Sequence, residues 1–316
     1  MTSMTHCRLR SRATATGVLA LATALTLAAC ATTGDTTPTG STAGPGSSQP
    51  GAANGADPGV VALLPPAVKD KGVLAIGMEA QYPPFEFYDT DNKTVIGFDA
   101  DVASSLAKLM GLKLEIHDAA FDSIIPSLAS GRYDLGISGF TVTAERAKQV
   151  NFVTYYYEGD GLMVKAGNPG NLTIGDSLCG VRIAVLKGST QALKSVPALD
   201  KVCTSAGKPA IAATVVPGSN DLGLSLQSGR VQAVLTDGSN AGYTAKLSGG
   251  KFEVATGQPY NPAPFGIASP KDNDLDKAVQ KALEVMISNG TYASTLKKWN
   301  MEAGAVQAPK INEISG

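Results

Sequence analysis

Ser138, Gly139, Thr141 and Arg146 stand close together behind an apolar run at 134–137 that reads as a strand. Short hydroxyl donors and accessible backbone N–H groups follow that strand, and Thr143 is placed to cap a short helix whose first turn carries Arg146. A guanidinium beside free amides at a helix start makes a carboxylate clamp, because its planar fork meets both oxygens. The same arginine could instead form a surface ion pair, worth under about 1 kcal/mol. Covalent chemistry is poorly served. The two histidines, His6 and His117, are too few for a multi-histidine metal site, and His117 falls in a strand. No GxSxG elbow, GxxxxGK[ST] or GxGxxG occurs, so neither a serine nucleophile nor a nucleotide phosphate has an evident seat. No catalytic residue, cofactor or metal is expected, and the pattern favours binding over turnover.

The elements that must position these residues alternate between helix and strand. Strands are predicted at 73–77, 114–117, 134–137, 162–166, 182–186, 211–216 and 232–236. Helices are predicted at 98–110, 121–129, 189–195 and 220–228, with a long amphipathic one marked by Leu275, Val279, Leu283 and Met286, and a last one over 292–299. An internal echo sets residues 125–138 beside 224–237. Each reads helix, Ser-Gly-Arg stop and apolar strand, with the glycines 98 residues apart. Two similar α/β lobes, each ending a strand in a polar residue, suggest a ligand held between strand carboxyl ends. The folded body is expected over 60–304, and the residues after Trp299 read as a loose tail.

With 316 residues, 43% apolar and 17% charged, the chain can bury a sizeable core. A formal charge of −1 argues against a nucleic-acid partner. Arg8, Arg10 and Arg12 precede an apolar stretch at 13–27, which has the layout of a signal peptide and is too short for a permanent membrane span. Leu27-Ala28-Ala29-Cys30 resembles a bacterial lipoprotein box, which implies cleavage after residue 29 and a lipid on Cys30; ordinary secretory cleavage is the alternative. Removing 1–29 takes away three arginines and no acid, leaving 23 basic against 27 acidic residues, or −4. Residues 31–59 hold nothing apolar larger than alanine, so 30–59 is expected to be a lipidated cysteine and flexible tether spanning about 30 Å. With Cys7 cleaved off and Cys30 acylated, Cys179 and Cys203 are left to pair in an oxidising compartment, closing a loop worth about 3 kcal/mol.

Residues 121–157 resemble the signature of the polar amino-acid-binding proteins of ABC importers, the family-3 solute-binding proteins. The resemblance extends over the body through Gly77–Phe87, Gly97–Asp101, Phe121–Leu128, Ser138–Arg146, Val185–Gln191, Leu235–Asp237, Phe265–Ala268 and the tail motifs Asn289–Tyr292 and Lys298-Trp299. It implies an α/β, two-lobed periplasmic-binding-protein-like fold of type II with a discontinuous first lobe and two crossing hinge segments. Lobe 1 would be 60–158 and 270–304, lobe 2 would be 159–269, and 305–316 a tail.

By position, the resemblance implies that Arg146 holds a ligand carboxylate with Thr141 and Thr190, while Ser189 and Gln191 close on it from a glycine-led helix start. Asp237, the Ser138 hydroxyl and the Gly139 carbonyl would take the α-ammonium; the other reading of Asp237 is a helix N-cap. Tyr82 and Phe121 would sandwich the ligand side chain. Glu79 would suit a cationic or donor-bearing tail, although an internal lysine could also be its partner. Phe140 stands where the family often has Ser or Met and would narrow the pocket. The implied function is an extracytoplasmic, lipid-anchored receptor for a polar L-amino acid, a basic one foremost, monomeric and no enzyme, serving an ABC permease and its ATPase. An amino-acid sensor, or a dehydratase on the same fold with Glu79 as proton donor, are the rival readings.

Overall fold

The computed structural model describes residues 55–257 and 259–314; the expected signal peptide, Cys30 and most of the tether lie outside them. The strands are β1 (Val73–Met78), β2 (Gln81–Tyr82), β3 (Glu86–Tyr88), β4 (Val95–Ile96), β5 (Lys113–Asp118) and β6 (Leu135–Gly136). They continue with β7 (Val150–Lys165), β8 (Arg182–Leu186), β9 (Ala212–Val216), β10 (Ala233–Asp237), β11 (Phe252–Val254) and β12 (Tyr260–Pro270). The helices are α1 (Pro58–Val61), α2 (Pro66–Lys71), α3 (Phe98–Met110), α4 (Phe121–Ala129) and α5 (Ala144–Ala147). After these come α6 (Val196–Ser205), α7 (Asn220–Gln227), α8 (Gly238–Leu247), α9 (Leu275–Ser288) and α10 (Thr291–Trp299).

Among the described residues, nine strands join in the order β5-β1-β6-β12-β7-β10-β8-β9, with β11 against β7. The pairing changes along β7. Val150–Glu158 runs antiparallel to β12, and Asp160–Val164 runs antiparallel to β10. Outside these two strands the sheet is parallel on both flanks, β1 with β5 and β6 on one side, β8 with β9 and β10 on the other. Parallel strands need crossover helices, which is why each flank is interleaved with helices. One apolar core gathers Val60 to Tyr156 with Phe265 to Val306, so the first lobe is built from both ends of the described chain. A second core draws on Leu162 to Leu235, and a third joins Phe121 to Phe152 with Met163 to Ala241 and Ala268 where the two parts of the sheet meet. The fold is therefore two α/β lobes joined by long crossing strands.

The internal echo is structural. Helix α4 ends at Ser130 and α7 at Ser228, and in each case the next residue is a glycine in the left-handed region, Gly131 at φ 73° and Gly229 at φ 75°. Each glycine N–H bonds back into its helix, to Leu128 O and Leu226 O, before the chain enters β6 or β10. Only glycine takes that backbone conformation without strain.

Three expectations differ from what is observed. The predicted strand 162–166 is the far half of β7, which runs unbroken from residue 150. The predicted helix 189–195 is a π-helical turn over Gln191–Ser195 that continues as α6 to Ser205. The tail is not loose. Thr154 N–H donates to Lys310 O and Asn312 N–H to Phe152 O, Ile311 bridges Val153, and Val306 is buried. Residues 305–314 thus cover the edge of β7 that β12 leaves open. At the other end, Asp57 caps α1 and its N–H bonds Leu109 O, so the last residues of the expected tether belong to the body. Cys179 and Cys203 are joined as a disulfide.

Candidate functional site

Strand ends and helix starts from both lobes meet at one cleft. Its wall holds nine of the twelve residues expected there, namely Tyr82, Phe121, Gly139, Thr141, Arg146, Ser189, Thr190, Gln191 and Asp237. Leu186, Leu235 and Thr236 complete it.

Thr143 caps α5, its hydroxyl accepting the Arg146 N–H at 3.2 Å, and this fixes the direction in which Arg146 leaves the helix. The guanidinium donates to Thr141 O at 2.9 Å and, across the cleft, to Gly188 O at 3.0 Å. It lies over the Phe121 ring at 5.4 Å and the Phe140 ring at 5.6 Å, and those two rings stack at 4.8 Å. Burial pulls the Arg146 pKa down to about 10, partly opposed by Asp237 and Glu145, so the group stays cationic at neutral pH. Among the described residues no carboxylate forms an ion pair with it. The surface ion pair that the sequence allowed is not what is observed.

Asp237 occupies the N-cap position of α8, yet its side chain makes no cap bond. Its Oδ1 accepts from Gln191 Nε2 at 2.7 Å and its Oδ2 from the Tyr82 hydroxyl at 2.5 Å. Burial first, then the charges of Glu158 and Asp160, push the Asp237 carboxyl well above its ordinary range. A cation beside it would restore ionisation. The second proton of the Gln191 amide goes to Asp160 Oδ1 at 2.7 Å, and Ser195 donates to Asp160 Oδ2 at 2.6 Å.

The lobes touch at several further points. Thr141 and Thr190 hydroxyls meet at 3.2 Å, and Asn240 Nδ2 donates to Pro83 O at 2.6 Å. Gly188, at φ 77°, sits where an added Cβ would stand 2.8 Å from the Asp122 Cβ of the facing lobe, so a side chain there would hold the lobes apart.

The other three expected residues are not on the cleft wall. Ser138 donates to Glu86 Oε1 and accepts the Glu79 N–H at 3.1 Å. Phe140 is buried behind Arg146 as its ring support. Glu79 reaches across the lobes, with its oxygens accepting the Ser219 N–H at 2.9 Å and the Ser219 hydroxyl at 2.8 Å. Its partner is thus the start of α7 and not a lysine. Burial outweighs those two bonds and raises Glu79 to about 7. Sequence reasoning missed Asp160, Thr236 and the aliphatic Leu186 and Leu235. Asp160 lies directly opposite Asp237 on paired strands, and an acid alternating with glycines in 158–161 was the available signal.

A cation and a carboxyl group face one cleft between two lobes. That combination defines a two-lobed α/β binding protein. Residues 74–302 match the bacterial extracellular solute-binding proteins, family 3, and the chain belongs to that family. It is 30% identical over 256 residues to the "Arginine-binding protein ArgT" of Corynebacterium glutamicum, covering 81% of this chain and 83% of that one. To the "L-cystine-binding protein TcyJ" of Escherichia coli it is 32% identical over 237 residues, covering 73% and 84%. Among solved structures it is similar to "An ancestral arginine-binding protein bound to arginine", with a TM-score of 0.65, 36% identity and coverage of 72% and 98%. Each of these relatives is named as a binding protein. Among the described residues no helix is long and apolar enough to cross a membrane.

Proposed function

We propose that this protein captures a basic L-amino acid, arginine foremost, by closing its lobes over it, and delivers it to the permease and ATPase of an ABC importer. The observation that carries the reading is Arg146, a cation in the cleft whose hydrogen-bond partners among the described residues are two carbonyl oxygens and no carboxylate. A ligand carboxylate would complete its fork, with the Thr141 and Thr190 hydroxyls and the turn at Ser189 beside it. Asp237 would take the α-ammonium near Gly139 and the Ser138 side of the floor, and Tyr82 and Phe121 would flank the side chain. A zwitterion is thereby read by opposite charges at fixed spacing.

The choice of a basic tail rests on Glu79 and on the relatives named for arginine. Two of the roughly four lone-pair positions of its carboxylate are used by Ser219. A guanidinium or ammonium tail reaching it would reverse the burial-driven rise in its pKa. Lobe 1 is assigned as 60–158 and 270–304 and lobe 2 as 159–269, with 305–316 as a clasp on the first crossing strand. The receptor works as a monomer outside the cytoplasm, held to the cell membrane by a lipid on Cys30.

Equilibrium dialysis of labelled L-arginine tests the reading. Saturable binding displaced by lysine or ornithine is expected, and binding displaced only by neutral amino acids would remove the basic-tail assignment. Incorporation of labelled palmitate that Cys30→Ala abolishes is the expected sign of the anchor.

A further inference from the structure

Below the cleft, two carboxyl groups outside the set that would touch a ligand are buried together. Glu86 on β3 and Asp99 on the first turn of α3 are both completely inaccessible. Three of their four oxygens already accept hydrogen bonds. Glu86 Oε1 takes the Ser138 hydroxyl, Asp99 Oδ2 takes the Gly139 N–H at 3.1 Å, and Asp99 Oδ1 takes the Tyr155 hydroxyl at 2.7 Å. Glu86 Oε2 alone has no donor, and the Asp99 carboxyl is the acid whose side chain interacts with that of Glu86. The ionisable groups around the pair are Glu79 from the end of β1 and Tyr155 from β7, and neither supplies a positive charge.

Two fully buried carboxyl groups that interact directly, with no cationic side chain among the described groups around them, cannot both stay ionised at neutral pH. One proton between them removes the repulsion. Both oxygens of Asp99 already accept, so a proton there would weaken the bond from Tyr155 or from the Gly139 N–H. On Glu86 Oε2 it displaces nothing and gives Asp99 a further donor. The electrostatics agree: burial, then the charge of Asp99, push Glu86 well above its ordinary range, while burial raises Asp99 only to about 6.

We propose that Glu86 and Asp99 form a carboxyl pair that keeps one proton on Glu86 Oε2, and that this pair is the positioning element that fixes Ser138 and Gly139 at the cleft floor. The role in affinity rests on reading the cleft as the amino-acid site; the shared proton does not. Glu86 grips the Ser138 side chain and Asp99 the Gly139 backbone, so the pair holds two consecutive residues from opposite sides. Ser138 in turn orients the backbone at Glu79 through its N–H. Glutamine at position 86 can copy the protonated acid, accepting from Ser138 with its oxygen and donating to Asp99 with its nitrogen. Alanine can do neither.

The test uses the full chain, with L-arginine as the probe for titration calorimetry and an infrared difference spectrum between wild type and Glu86→Gln at neutral pH. Expected are a protonated-carboxyl band present in wild type and lost in Glu86→Gln, affinity for L-arginine within about threefold in Glu86→Gln, and a loss of tenfold or more in Glu86→Ala. The pair is overturned if wild type lacks that band, or if Glu86→Gln weakens binding as much as Glu86→Ala. Should Glu86→Ala not fold, the band and the affinity of Glu86→Gln decide. Should wild type itself ignore L-arginine, the ligand reading and the positioning role fall with it, while the band still decides whether the pair holds its proton.

Discussion

Replacing Arg146 by alanine removes the only cation among the described residues that line the cleft wall. The substitution deletes the donors to Thr141 O and Gly188 O, the second of which spans the lobes, and it uncovers the stacked rings of Phe121 and Phe140. For a ligand carboxylate the loss is larger than two ordinary hydrogen bonds. Breaking a buried pair by removing one partner costs about 3–5 kcal/mol, because the remaining charge stays desolvated and unpaired. At about 1.4 kcal/mol per tenfold, that is an affinity loss of roughly a hundredfold to several thousandfold. Arg146→Lys keeps the charge but loses the planar fork, so its affinity should fall between wild type and alanine. The assay is calorimetric titration with L-arginine, paired with urea unfolding to show that the variant is folded. Arg146→Ala binding within about threefold of wild type would refute the clamp.

Glu79, raised to about 7 by burial, is about half protonated at pH 7, and a cationic tail beside it lowers its pKa. Arginine binding near pH 7 should therefore release on the order of half a proton from this group; calorimetry in buffers of different ionisation enthalpy measures it, and equal release by Glu79→Gln would contradict the assignment. Cysteines 179 and 203 enclose a loop with a sequence separation of 24, so replacing both by serine should destabilise the protein by about 3 kcal/mol in urea unfolding. An unchanged midpoint would show that the crosslink constrains nothing. Deleting 305–316 exposes the edge of β7 and removes the buried Val306. A buried valine alone is worth roughly 1.5–3 kcal/mol, so the urea midpoint should fall clearly, and a truncated chain as stable as wild type would deny the tail its role as a clasp.

Much of the fold could be read from period and punctuation. The two Ser-Gly-Arg stops identified equivalent helix–strand units in both lobes, because a left-handed residue ending a helix needs glycine wherever it occurs. Arg146 could be placed because Thr143 carries a recognisable cap signal. The crossing strands were hidden for an opposite reason. Gly159 and Gly161 with Glu158 and Asp160 between and before them look like a loop, yet β7 passes straight through. β12 carries Pro262, Pro264 and Gly266, which ordinarily mark turns, and forms a strand because β7 pairs with it for most of its length. Long-range pairing overrode local propensity in both.

The candidate site was legible where a residue type has one use and obscure where its direction depends on packing. Arg146, Asp237, Thr141 and Gln191 converge on the cleft. Ser138 and Phe140 stand within a few residues of Thr141, and Glu79 within a few of Tyr82, but their side chains turn to Glu86, the back of Arg146 and Ser219. The buried carboxyls Glu86 and Asp99 could not be found from sequence, since nothing in the local pattern distinguishes them from surface acids.

Thermal unfolding of the protein, first unfolded and refolded to strip any bound solute, across the proteinogenic amino acids with ornithine and citrulline tests the central claim most directly. Ligand at a thousandfold its Kd should stabilise by about 4 kcal/mol, a shift of several degrees. The account predicts a response led by arginine and shared by lysine, histidine or ornithine. A response confined to neutral amides would keep the receptor but contradict the basic specificity. No response from a folded protein across the whole panel would contradict amino-acid binding itself.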